Sequence, residues 1–176
     1  MVGLFETLIG DPLVGRMHIH QHQALGIFRQ DLRQCLQGHK VLWVHAVSVG
    51  ETRAAIPLLK ALRKSYPDAK IVLSNVTETG RKIAAGIPEI DYFIFFPFDL
   101  RWVVRKSLNI IRPDVIILVE TEIWPNFVLQ AKARNIPLIL ANGRISDRSF
   151  PRYRMAGKLL PPILDTISEY CMQSEQ

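Results

Sequence analysis

Three carboxylates stand where a chain of this pattern could use them: Glu51, in the turn Ser48-Val49-Gly50-Glu51, and Glu120 with Glu122, in the run Glu120-Thr121-Glu122. Each group follows an apolar run of the kind that forms a buried strand, and in open α/β sheets ligands lie beyond the carboxyl ends of the strands. A carboxylate desolvated by apolar walls and by a second acid keeps its proton to higher pH than a free one, and can serve as a general base. Glu51 also has a plainer use, since an acid in the first turn of a helix stabilises it by about 0.3–1 kcal/mol. One of Glu120 and Glu122 could equally cap the next helix or pair with Arg144. Gly50, having no side chain, lets a ligand come close to the backbone. Ser48 is assigned to binding or capping, because S-V-G-E is not the G-x-S-x-G of a nucleophile elbow.

The elements that must position these acids follow one another in a regular pattern. Residues 41–47 (VLWVHAV) read as the first strand. The 3.6-residue period after it puts Ile56, Leu58, Leu59 and Leu62 on one helix face, with Arg53, Lys60, Arg63 and Lys64 on the other face or in the last turn. A second strand is expected over 69–76 and a short helix from Arg81 to Ala85, stopped by Pro88. A third strand covers 92–96, and Asp99 is expected to cap a helix over 100–110. The clearest buried strand is 115–119 (VIILV), followed by a helix from Ile123 or Trp124 to Arg134 that tolerates Pro125 in its first turn. Strands over 137–141 and, with mixed polarity, 166–173 complete the set. Such alternation implies right-handed βαβ units: an α/β, Rossmann-like parallel sheet with helices on both faces. If the strand order is Rossmann-like, strands one and four are neighbours and the three acids share a crevice. Neither G-x-G-x-x-G nor a P-loop occurs, which argues against a dinucleotide or triphosphate site.

Residues 1–40 form a separate N-terminal segment, with one helix expected over 17–37 and ended by Gly38. His18, His20 and His22 alternate there, a spacing that does not gather three metal ligands on one helix face. No metal and no cofactor is expected. Composition is that of a globular domain, 48% hydrophobic and 22% charged. Cys35 and Cys171 have no metal or disulfide spacing, which fits a reducing compartment. The net charge of +6 is concentrated near the end, where Arg144, Arg148, Arg152, Arg154 and Lys158 face a single acid, Asp147. That segment suits phosphate groups, an anionic lipid surface or nucleic acid, unless it is simply a solvated basic loop. Little aromatic interleaving beyond Phe150 and Tyr153 argues against nucleic acid. No transmembrane run and no signal peptide is read in the chain.

The segments WVHAVSVGETRAAIPLLKALRKSYPD, VETEIWPN and IPLILANGRISDRSFPRY, in this order and spacing, resemble the amino-terminal half of the bacterial Kdo transferases. The resemblance runs over residues 41–176 and does not extend to residues 1–40, where family members usually carry a membrane-anchoring helix. It implies a GT-B glycosyltransferase of lipopolysaccharide core biosynthesis that moves 3-deoxy-D-manno-octulosonic acid (Kdo) from CMP-Kdo to the lipid A precursor, lipid IVA. By position, Glu51 would be the general base of an inverting transfer. Ser48, Gly50, Glu120, Glu122, Asn142, Arg144 and Ser146 would position acceptor or donor. Arg148, Arg152, Arg154 and Lys158 would meet the phosphorylated lipid and the cytoplasmic face of the inner membrane, on which the protein would lie peripherally. The donor-binding domain is expected to be absent, CMP-Kdo would bind only together with it, and the chain alone is expected to be inactive. A non-catalytic lipid- or partner-binding remnant of that domain is the alternative.

Overall fold

The computed structural model describes residues 22–28, 30–120, 123–143 and 160–173. Its elements in chain order are α1 (Gln30–Leu36), β1 (Val41–His45), α2 (Val49–Ala54), α3 (Ile56–Ser65), β2 (Lys70–Asn75), α4 (Glu78–Ala84), β3 (Tyr92–Phe95), α5 (Arg101–Ile111), β4 (Val115–Val119), α6 (Pro125–Lys132), β5 (Leu138–Gly143), α7 (Leu160–Leu164) and β6 (Glu169–Met172). The six strands form one sheet in the order β3-β2-β1-β4-β5-β6, every neighbouring pair parallel. The order reverses direction between β1 and β4, the place where such sheets open a crevice.

Period-two alternation sorts the strand residues between two cores. Val41, Trp43, Val72, Ile94, Ile116, Leu118, Leu138 and Leu140 pack with Leu32 and Leu36 of α1, Val104 and Leu108 of α5, and Phe127 and Val128 of α6. Leu42, Val44, Ile71, Leu73, Ile117 and Val119 point the other way, against Ala55, Leu59 of α3 and Ala84 of α4. Both faces are covered, which is why the strands read as continuous apolar runs in the sequence.

Every expected strand is present, and four details differ. The helix expected over 17–37 is not continuous: Gly26 takes φ +70°, and only Gln30–Leu36 forms a longer helix, ended at Gly38 with φ +83°. Residues 17–21 lie outside the described residues. Glu51 and Gly50 belong to helix α2 instead of a turn, because Ser48 already caps that helix. The helical stretch then breaks at Ala55, two residues before Pro57. Asp99 does not cap α5, whose N-cap is Leu100 with no side-chain bond. Its carboxylate accepts from the backbone N–H groups of Asn126 (3.0 Å) and Phe127 (2.8 Å), and so caps α6. The backbone carbonyl of Asp99 accepts from Asn126 Nδ2 at 2.7 Å, closing a clamp between the two helix starts.

Candidate active site

Glu51 is held at the carboxyl end of β1 by reciprocal capping. The hydroxyl of Ser48 accepts from the Glu51 N–H at 3.2 Å, while Glu51 Oε2 accepts from the Val47 N–H at 2.7 Å. This is a capping box whose acid reaches one residue further back than usual. Glu51 is 7% exposed, and its other oxygen makes no hydrogen bond among the described residues. One oxygen therefore holds the start of α2, and the second is not used by the fold. Gly50 is exposed, and a β-carbon there would meet only Ser48 Oγ at 3.7 Å, so the fold itself does not require glycine.

A buried polar network fixes this helix start. Asn75, at the end of β2, donates through Nδ2 to Thr52 Oγ1 (2.9 Å) and to the carbonyl of Ser48 (3.3 Å). Its Oδ1 accepts from the backbone N–H (2.7 Å) and hydroxyl (2.8 Å) of Thr77, the residue that caps α4. One amide thus ties the ends of β1 and β2 together, in a place where leaving any of its groups unpaired would cost about 1–3 kcal/mol. Gly80 makes room for it, since a β-carbon there would lie 2.3 Å from Asn75 Cγ.

Beneath the rim, His45 is 1% exposed. Its Nδ1 lies 2.9 Å from Ser74 Oγ and 3.3 Å from the Ser74 carbonyl, and Trp43 Nε1 donates to the same hydroxyl at 2.8 Å. The imidazole stacks on Phe96 at 3.7 Å between centroids. Burial lowers its pKa to about 3, against the small upward effect of the bond to the Ser74 carbonyl, so the ring is neutral and does not act as an acid near neutral pH. Sequence reading passed over His45, Asn75, Thr52 and Ser74; the single available signal was a polar residue near the end of an otherwise apolar run.

Across the switch point, β1 and β4 pair with His45 opposite Leu118. Glu120, two residues beyond Leu118, therefore lies on the same rim as the start of α2, where Ser48 and Glu51 stand. Its backbone is left-handed (φ +61°), and its N–H continues the ladder to the Ala141 carbonyl at 2.9 Å. Asn142, at the end of β5, is left-handed too (φ +58°), and its Oδ1 accepts from Gln173 Nε2 at 2.9 Å. A left-handed glutamate is uncommon and costs on the order of 1–2 kcal/mol. Glu122, Arg144, Ser146, Arg148, Arg152, Arg154 and Lys158 lie outside the described residues, as do His18 and His20. Among the described residues, no three histidine, cysteine or acidic side chains gather as a metal site, and no helix is long and apolar enough to cross a membrane.

A family model described as 3-deoxy-D-manno-octulosonic-acid transferase (kdotransferase) matches residues 20–176. The 3-deoxy-D-manno-octulosonic acid transferase of Haemophilus influenzae is 38% identical over 113 residues, 64% of this chain and 26% of that protein. A bifunctional glycosyltransferase/methyltransferase of Fusobacterium nucleatum is 36% identical over 143 residues, 80% of this chain and 22% of the relative. The 3-deoxy-D-manno-octulosonic acid transferase of Rickettsia bellii is 31% identical over 172 residues, 97% of this chain and 39% of its own length. The chain thus spans well under half of each of these relatives. Among solved structures, a putative UDP-N-acetylglucosamine 2-epimerase from Listeria monocytogenes superposes with a TM-score of 0.53 at 11% identity, over 76% of this chain and 39% of that one, a likeness of fold alone.

Proposed function

We propose that this chain, which belongs to the 3-deoxy-D-manno-octulosonic-acid transferase family, is the acceptor-side half of an inverting glycosyltransferase that moves Kdo from CMP-Kdo to the lipid A precursor, lipid IVA. The observation that carries the reading is the setting of Glu51: a nearly buried acid at the end of β1, one oxygen fixed by the Val47 N–H, beside the strand that delivers Glu120. In this role Glu51 takes the proton of the acceptor hydroxyl as that oxygen attacks the anomeric carbon, while CMP leaves. Holding the carboxylate by one oxygen fixes its direction before the substrate arrives. Ser48, Gly50, Glu120, Glu122, Asn142, Arg144 and Ser146 position the sugars. Arg148, Arg152, Arg154 and Lys158 meet lipid phosphates at the cytoplasmic face of the inner membrane. Donor binding is the work of a second, facing domain, and turnover is read on the two-domain enzyme.

The bond from Val47 to Glu51 also supports a second reading, a binding module in which Glu51 is a cap and nothing more. Glu51→Gln in the two-domain enzyme separates the two. The amide keeps the hydrogen bond from Val47 and loses the basicity, so transfer from CMP-Kdo should fall by about 100-fold or more with acceptor affinity retained. Turnover within a few-fold of the unaltered enzyme would remove Glu51 from the chemistry.

A further inference from the structure

The amino ends of the strands, opposite the rim that carries Glu51, hold a concentration of cations with no part in that rim. Helices that link parallel strands return to this end, so α1, α5 and α6 all finish here, just before β1, β4 and β5. An open cavity of about 570 Å³ lies between them, lined by Arg33 in the last turn of α1, Arg112 at the end of α5 and Arg134 just past α6. Leu108, Pro113 and Ile136 form its apolar wall. Its size falls within the range of small-molecule sites, about 300–1,000 Å³.

The helix dipole accounts for each of these cations taken singly. Together they exceed it, because three helix ends supply roughly −0.5 charge each and leave a net of about +1.5 in one cavity. No carboxylate lines the cavity among the described residues. Asp114, the acid closest in sequence to Arg112, lines a smaller neighbouring cavity of about 210 Å³ and already accepts from the Val41 N–H at 2.7 Å.

The three guanidinium groups are also unequally engaged. Arg134 is fixed: its Nη1 donates to the carbonyl and to Oε1 of Gln130, both at 2.9 Å, and its Nε and Nη2 donate to Asn109 Oδ1 at 3.4 and 3.3 Å. Arg33 and Arg112 make no ion pair and no side-chain hydrogen bond among the described residues, which leaves their donors for a ligand. Arg112, moreover, holds φ +49° at a helix end where glycine or asparagine is usual, so the backbone gains nothing from an arginine there.

We propose that Arg33, Arg112 and Arg134 bind the phosphoryl group of a small phosphate monoester, whose organic part lies on Leu108, Pro113 and Ile136. A phosphate monoester carries about −1.5 to −2 charge at pH 7, which matches the net charge of the cavity. Guanidinium groups meet its oxygens as two-pronged donors, with Arg134 as the fixed wall and the other two closing on it. The site is at the far end of the sheet from Glu51 and is independent of the reaction assigned to that residue.

Titration calorimetry on the intact chain tests this with phenyl phosphate, and involves neither sugar donor nor acceptor. Binding should saturate at one per chain. Inorganic phosphate, which lacks the apolar body, should bind about tenfold more weakly. Phenyl sulfate, of the same shape but singly charged, should also bind about tenfold more weakly. Arg112→Gly suits the left-handed backbone and keeps the fold, and should weaken phenyl phosphate by about tenfold or more, as should Arg33→Gln at its exposed position. Thermal melting of both unliganded variants confirms that the loss is one of binding. Affinity unchanged in both variants, affinity lost only on altering Arg152 and Arg154, phenyl sulfate or inorganic phosphate binding as tightly as phenyl phosphate, or no saturable binding would each overturn the proposal.

Discussion

Single residues at the rim divide into those that act and those that hold, and His45 belongs to the second kind. Its ring is buried against Phe96 and neutral, with a pKa lowered from 6.5 to about 3 by burial. An unfolded chain takes up a proton near pH 6.5 that the folded chain refuses until about pH 3. The stability tied to this group is therefore complete above pH 6.5 and is lost as pH falls toward 3, with a slope approaching 1.4 kcal/mol per pH unit. Urea denaturation at several pH values between 7.5 and 4 should show this fall, and His45→Gln should flatten it. Equal slopes in the two proteins would mean that other groups carry the acid sensitivity. Nothing in the sequence marks His45 as structural, because the side chain it hydrogen-bonds, Ser74, lies 29 residues away on a neighbouring strand. Glu51 was more legible: S-x-x-E ahead of an apolar helix announces a cap, and a strand end announces a site. The structure shows the cap, through the Val47 and Ser48 bonds, and leaves the other oxygen for the role proposed above.

At the scale of elements, the period of the apolar residues predicted every strand and the order in which helices interrupt them, because both faces of each inner strand are covered. Boundaries moved by one or two residues where the apolar run outlasted the ladder, as at Ala46 and Val47 after β1. What could not be read was capping between elements. Asp99 precedes α5 and looks like its cap, yet it caps α6, whose first amides are brought beside it only by packing of the two helices. Asn75 binds the starts of α2 and α4 in the same non-local way. Two glycines in those helices give this a test. Gly80→Ala drives a methyl into Asn75 and should cost about 1–3 kcal/mol, the usual penalty of overpacking. Gly50→Ala meets open space within a helix and should be neutral or stabilising by up to about 1 kcal/mol. Its effect should fall on acceptor binding instead. Chemical denaturation of both variants checks the contrast, and a Gly80→Ala protein as stable as the parent would show that Asn75 is not the pivot described.

For the whole molecule, stability should be graded outward from the switch point. β1 is buried at all five positions and pairs on both sides, with β2 and with β4, and β4 is flanked by β1 and β5. β6 is exposed at all four positions, pairs among the described residues only with β5, and its register shifts between Ala141 and Gly143. A strand with so little buried surface opens locally at a free energy well below that of global unfolding. Native-state hydrogen exchange should accordingly leave the amides of β1 and β4 exchanging only through global unfolding, while those of β6 exchange faster by about tenfold or more through local opening. The consequence for the site is direct: Glu51 and Glu120 hang from the two strands that open last, so their spacing is set by the most stable part of the sheet. Protection of β6 equal to that of β1 would instead make the sheet a single cooperative block and remove this reason for placing the acids at its centre.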